Sequence, residues 1–176
     1  MKTEIEIKVL EIDVKKVVTR LRELDAEFVG LFGQRRFTYD INPKTENKWI
    51  RLRTDGFRTT LCFKSIESDK IDGTKEVEFE VPDFAAANEF LECIGIPSKQ
   101  YQENRRSKYM IDGVEVDIDH WPLIPPYLEI EGQSEQEVMD TIKKLGLEDG
   151  KITSLNTQDV YKKYGIDLTK IKDLRF

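Results

Sequence analysis

Histidine occurs once in this chain of 176 residues, at His120, and cysteine twice, at Cys62 and Cys93. One imidazole leaves no material for a multi-histidine zinc site and very little for a His-centred catalytic triad. The two cysteines lack metal-type spacing and build no disulfide framework, so reduced thiols are expected. No apolar run approaches the roughly 18 residues of a membrane span. A basic excess is also missing: 28 Lys and Arg stand against 34 Asp and Glu, a net charge of −6. That balance gives no case for nucleic acid as a partner. The N-terminal residues enter a charged strand at once, without a signal-peptide pattern, so a cytoplasmic location is expected. The length suits one domain with a real core, expected over residues 1–176, and the 10% aromatic share argues against disorder.

Strand patterns dominate what is present. Thr3 to Val9 alternates strictly, with Glu4, Glu6 and Lys8 on one face and Ile5, Ile7 and Val9 on the other. A helix is expected from Asp13 to about Phe28, capped by Asp13 and carrying Val14, Val17, Val18, Leu21 and Leu24 at helical spacing. Further strands are expected at about 34–41, 48–54, 58–66, 75–81, 101–111, 114–119 and 127–131, with hairpin turns at Asp55-Gly56 and Asp112-Gly113. A second helix follows Pro82-Asp83. A third follows the capping box of Ser134 and Glu137, and a last short one holds Val160, Tyr161 and Tyr164. About eight strands with short connections and three or four helices imply an α+β protein built on an antiparallel sheet or closed barrel.

Sorting each strand by face reveals the functional signal. Arg51 and Arg53 oppose Ile50 and Leu52; Lys64 and Cys62 oppose Leu61 and Phe63. Glu76 and Glu78 oppose Val77 and Phe79, while Arg106 and Lys108 share a face. Glu115, Asp117 and Asp119 oppose Val114, Val116 and Ile118, and Glu129 and Glu131 oppose Leu128 and Ile130. Solvated faces usually mix signs, because like charges side by side are unfavourable. Here acidic and basic strands are kept apart. The simplest closed arrangement turns the charged faces inward around a polar tunnel and the apolar faces outward beneath the helices. So many enclosed charges need partners. A triphosphate with Mg²⁺ or Mn²⁺ serves both signs, since basic groups clamp phosphate and hard cations bridge carboxylates to it.

These motifs in order resemble the CYTH superfamily, the triphosphate tunnel metalloenzymes named for class IV adenylyl cyclase and thiamine triphosphatase. They run from Glu4-x-Glu6-x-Lys8 through Arg51-x-Arg53, Lys64, Glu76-x-Glu78, Arg106 with Lys108 and Asp117-x-Asp119 to Glu129-Ile130-Glu131, and the resemblance covers Lys2 to about Tyr164. It implies an eight-stranded antiparallel closed β-barrel, a triphosphate tunnel with helices packed outside. It implies chemistry on a small-molecule triphosphate with two divalent ions, Mg²⁺ or Mn²⁺. Carried over, Glu4, Glu6, Asp119, Glu129 and Glu131 are the metal-ligand candidates. Lys8, Arg51, Arg53, Lys64, Arg106 and Lys108 are the phosphate-binding candidates. Glu4, Glu6, Lys8 and Glu131 are the catalytic candidates, with Glu76, Glu78 and Asp117 as supporting acids. The departure is Leu123-Ile124-Pro125-Pro126-Tyr127, where many members carry a glycine; it leaves the metal pairs intact and is expected to reshape one tunnel mouth. Dimers occur in the cyclase branch of the family, which makes a homodimer an open expectation.

Three activities stay open at this level: hydrolysis of a triphosphate, cyclisation of ATP, and non-catalytic polyphosphate or nucleotide binding. Trp49, Phe57 and Tyr127 are the aromatic residues in reach of a base, though rim or outer-face packing is the default for each. Cys62 reads as a small lumen filler and His120 as a turn residue facing away from Asp119. The polar tail after Gly165 is either loosely held or a cap on the tunnel or a partner.

Overall fold

The computed structural model describes residues 1–176. Eight long strands close into an antiparallel barrel: β1 (Lys2–Leu10), β2 (Glu27–Asp40), β3 (Lys48–Thr54), β4 (Thr59–Ile66), β5 (Thr74–Glu80), β6 (Gln100–Ile111), β7 (Val114–His120) and β8 (Tyr127–Gly132). Around the barrel the order is β6-β2-β3-β4-β5-β1-β8-β7, and the pairing of β6 with β7 closes the ring. The expected fold class is therefore observed, and closure leaves none of these eight strands with an open edge.

The apolar faces point outward, as their parity requires. Helices α1 (Val14–Glu23) and α3 (Glu135–Lys144) cover β1, β6, β7 and β8, burying Val17, Leu21, Val138 and Ile142 against Val9, Val116, Ile118, Leu128 and Ile130. Helix α2 (Phe84–Cys93) lays Leu91 over Tyr39 and Leu52. Each helix starts as its sequence indicated. Asp13 accepts hydrogen bonds from the Lys15 and Lys16 N–H groups, Asp83 from that of Ala86, and Ser134 from that of Glu137. The outer cover is incomplete, since Val77 and Phe79 on β5 lie open. No helix is long and apolar enough to cross a membrane.

Three boundaries depart from the sequence reading. The first helix stops at Glu23 instead of continuing to Phe28: Leu24 caps it and Asp25 takes a left-handed φ of 52°. Phe28 sits at helical spacing from Leu24, but it pairs across β2 and β6 with Tyr109, ring centroids 5.1 Å apart. Consequently β2 is longer than expected, with a bulge between Phe28 and Gly30 that realigns it on β6. A short strand β9 (Lys151–Thr153) pairs with the end of β1, and was not expected.

The tail is held. After α4 (Thr157–Lys163), Leu168–Lys170 forms one 3₁₀ turn and β10 (Asp173–Leu174) pairs in parallel with β6. Leu168 and Leu174 are buried with Leu10, Trp121, Ile124, Tyr127, Val160 and Tyr161 in a second cluster at one end of the barrel. The Gln100 amide donates to the Leu168 and Ile171 carbonyls, and Tyr161 Oη donates to Pro122 O at 2.6 Å. The proline-rich segment before β8 is thereby fixed against α4 at this end.

Candidate functional site: a tunnel with two charged walls

Strand order turns the sign segregation of the sequence into two walls. β6, β2, β3 and β4 are neighbours and carry Lys108, Arg106, Arg36, Arg51, Arg53 and Lys64. β5, β1, β8 and β7 form the opposite half with Glu76, Glu78, Glu4, Glu6, Glu129, Glu131, Glu115, Asp117 and Asp119; Lys2 and Lys8 of β1 are the lumen cations among them. Between the walls runs a cavity of about 890 Å³ whose 43 lining residues include only six apolar ones. It is therefore shaped to receive a charged, hydrophilic ligand rather than an apolar one.

Where the halves meet, the charges pair. Lys64 Nζ lies 2.6 Å from Glu4 and 3.3 Å from Glu76, and Arg51 lies 2.9 Å and Arg53 3.7 Å from Glu78. At the other seam Arg106 reaches Asp117 at 2.6 Å, Asp119 at 2.7 Å and Glu129 at 2.6 Å. Lys8 bridges Glu6 and Glu129, and Lys108 pairs with Glu115 at 2.7 Å. Without its ligand the tunnel thus neutralises itself internally, and a polyanion would compete for cations already in use.

The predicted metal set divides in two. One oxygen from each of Glu4, Glu6 and Glu131 lies within 4.8 Å of the others, a spacing that suits a hard divalent ion. Burial and the neighbouring Glu129 charge push the Glu6 carboxyl up to about 8, and burial also raises Glu4. Each already has a lysine beside it, Lys64 at Glu4, Lys8 at Glu6 and Lys2 at Glu131, but three convergent carboxylate oxygens are a donor set that fits such an ion. Asp119 and Glu129 are engaged elsewhere. Asp119 is fully buried, both of its oxygens accept from Arg106, and Asn104 Nδ2 donates to it at 3.3 Å. For Glu129, burial favours the neutral acid, but Lys8 and Arg106 outweigh it and hold the carboxyl well below its usual range. Glu76 behaves similarly: Lys64 overcomes burial and holds it near about 2.

Other residues fall where parity put them. Cys62 is buried in the lumen wall with Sγ 3.3 Å from Glu76, and burial pushes its thiol up to about 12, so it is no nucleophile. Of the three aromatics, only Trp49 lines the cavity; Phe57 is on the exposed turn after β3, and Tyr127 is buried in the end cluster.

Arg36 escaped the sequence reading. The Arg35-Arg36 doublet masks the alternation, and its neighbours on the lumen face, Gln34 and Thr38, are uncharged. On β6 the lumen residues Gln100, Gln102 and Asn104 are neutral amides for the same stretch. A strict period-two count from Phe37 outward would have placed all of them inside.

The model of the CYTH domain matches residues 2–160. The chain belongs to the CYTH family. Solved structures agree on the fold. The PH1012 protein of Pyrococcus horikoshii shares 22% identity at a TM-score of 0.75, covering 87% of this chain and 96% of that one. A candidate adenylate cyclase from Vibrio parahaemolyticus shares 12% at 0.77, covering 92% and 98%. HpAC1 from Hippeastrum shares 15% at 0.65, covering 97% and 100%. No curated protein matches the chain.

Proposed function

We propose that this CYTH protein is a divalent-metal-dependent triphosphatase, hydrolysing a phosphoanhydride bond of tripolyphosphate, thiamine triphosphate or a nucleoside triphosphate. The observation that carries this reading is one cavity with a continuous basic wall facing a cluster of three convergent carboxylates. Arg51, Arg53, Lys64 and Arg106 would clamp the phosphate oxygens, with Lys108 near one mouth. Glu4, Glu6 and Glu131 would hold a divalent ion, which when bound supplies charge neutralisation and activation of a nucleophile. Asp119 and Glu129 would be free to join that set if Arg106 turned from them toward phosphate. Lys8 holds Glu129 ionised. Glu76 and Glu78 orient Lys64, Arg51 and Arg53. Water would add to phosphorus as the P–O–P bond breaks, its proton passing to the departing phosphate or to bulk water, with the charge on that phosphate stabilised by the basic wall.

The rival reading is a class IV-type cyclase, which needs a pocket holding adenine while the ribose folds back. Four of the six apolar lining residues are aromatic, but Tyr39 and Trp121 are buried, which leaves Phe32 and Trp49 as the aromatic surface open to a base. HpAC1 is described as having a dominant triphosphatase activity, which agrees with this preference. A pure anion binder would gain nothing from the Glu4, Glu6 and Glu131 cluster. The deciding experiment incubates the protein with Mg²⁺ or Mn²⁺ and, separately, tripolyphosphate and ATP, resolving products by chromatography. Orthophosphate without cyclic AMP is expected. Cyclic AMP with pyrophosphate would replace this reading by the cyclase, and binding without turnover by the non-catalytic module.

A further inference from the structure

Arg36 is the one cation of the basic wall whose hydrogen-bond partners carry no charge. Its Nη2 donates to Gln34 Oε1 at 2.9 Å and to Asn104 Oδ1, its guanidinium lies 4.6 Å from the Trp121 ring centre, and its buried Nε–H has no acceptor. The residue is 7% exposed. Every other cation of the basic wall has a carboxylate within 4.0 Å. Burial and then the Arg51, Arg53 and Arg106 charges disfavour its cation, with Asp119 opposing them. A buried guanidinium set among other guanidiniums destabilises the free protein unless an anion completes the group.

A second observation points the same way. Four buried polar atoms belonging to cavity-lining side chains lack hydrogen-bond partners: Arg36 Nε, Arg51 Nε, Trp121 Nε1 and Thr38 Oγ1. The three nitrogens can only donate, and the hydroxyl donates readily. Such a set asks for an acceptor-rich ligand, and phosphoryl oxygens are acceptors without protons.

We propose that Arg36 is a phosphate-binding residue of the tunnel, oriented by Gln34, Asn104 and the Trp121 face to meet a phosphoryl group of a linear triphosphate. This rests on the triphosphate reading of the tunnel. It extends the phosphate site onto β2, between the β3 arginines and Arg106.

Trp121 is a built-in reporter. The chain has two tryptophans, so Trp49→Phe leaves Trp121 alone. In that background, inorganic tripolyphosphate is titrated with and without Mg²⁺ while Trp121 emission is followed. A saturable change is expected, and Arg36→Gln should weaken the apparent affinity about 10- to 100-fold, the loss of one or two charge-assisted hydrogen bonds. Arg36→Lys, keeping the charge without the fork, should fall between. Melting of the ligand-free proteins separates a binding role from a structural one: Arg36→Gln should melt no lower than its parent. Equal affinity in Arg36→Gln, or a melting temperature lower by several degrees, overturns the inference. Saturable, Arg36-dependent binding without turnover leaves it standing and sinks only the enzymatic reading. No saturable binding by the parent sinks both.

Discussion

Replacing Glu6 by Gln should make the metal-free protein more stable while abolishing its metal-dependent turnover. The Glu6 carboxyl is shifted from 4.5 to about 8 by burial and by Glu129. Its folded-state pKa is raised, so between these values the folded chain keeps a proton that the unfolded chain has released. Stability therefore falls as pH rises through that window. At pH 7 the accumulated cost is about 3 kcal/mol, an upper bound because the side chain is 20% open to tunnel water. Gln carries no such cost and keeps the shape of the protonated acid. The expected gain at pH 7 is up to roughly 6–12 °C in melting temperature for a chain of this size. Calorimetry in the presence of a chelator, from pH 4 to 8, reads this directly: the two proteins should coincide near the acid end and diverge toward pH 8. Mg²⁺ or Mn²⁺ should then stabilise the wild type and leave the variant unmoved. A variant less stable than wild type at pH 7, a pH-independent gap, or full retained turnover would each refute the reasoning.

Arg106→Gln strands Asp117, Asp119 and Glu129 without their common cation; a loss of about 3–5 kcal/mol is expected, checked by the urea midpoint. Lys64→Met should remove triphosphate turnover and change the acid limb of stability. Glu76, depressed to about 2, contributes stability above 4.5 that is lost as pH falls toward 2, and acid melting curves of the variant should lack that loss. Leu174→Ala empties part of the end cluster and should cost about 2–5 kcal/mol in thermal or urea unfolding, whereas a loosely held tail would show none. Cys93, exposed, should label rapidly with a thiol reagent and Cys62 slowly, as a label-counting mass measurement would show.

Alternation alone determined the barrel and most of its charged lining. Inward and outward residues of a strand follow from period two, so Glu4, Glu6, Arg51, Arg53, Glu129 and Glu131 were placed before any pairing was known. Sign segregation along the chain then implied opposed walls, because like charges on adjacent strands need a third party. What alternation does not contain is register and reach across the lumen. Only the closed barrel sets Arg106 among Asp117, Asp119 and Glu129, and gathers Glu4, Glu6 and Glu131 while leaving Asp119 out. The fate of the tail was equally beyond local reading: Leu168 and Leu174 look unremarkable in a polar segment, and their burial depends on the end of β6 and on Tyr127 being nearby. Arg36 lies between these cases. Its parity was in the sequence, but its lack of an ion pair is a product of neighbours on β6 and β3. Local pattern fixes which side of a strand a residue faces; the partners it finds there are a property of the folded whole.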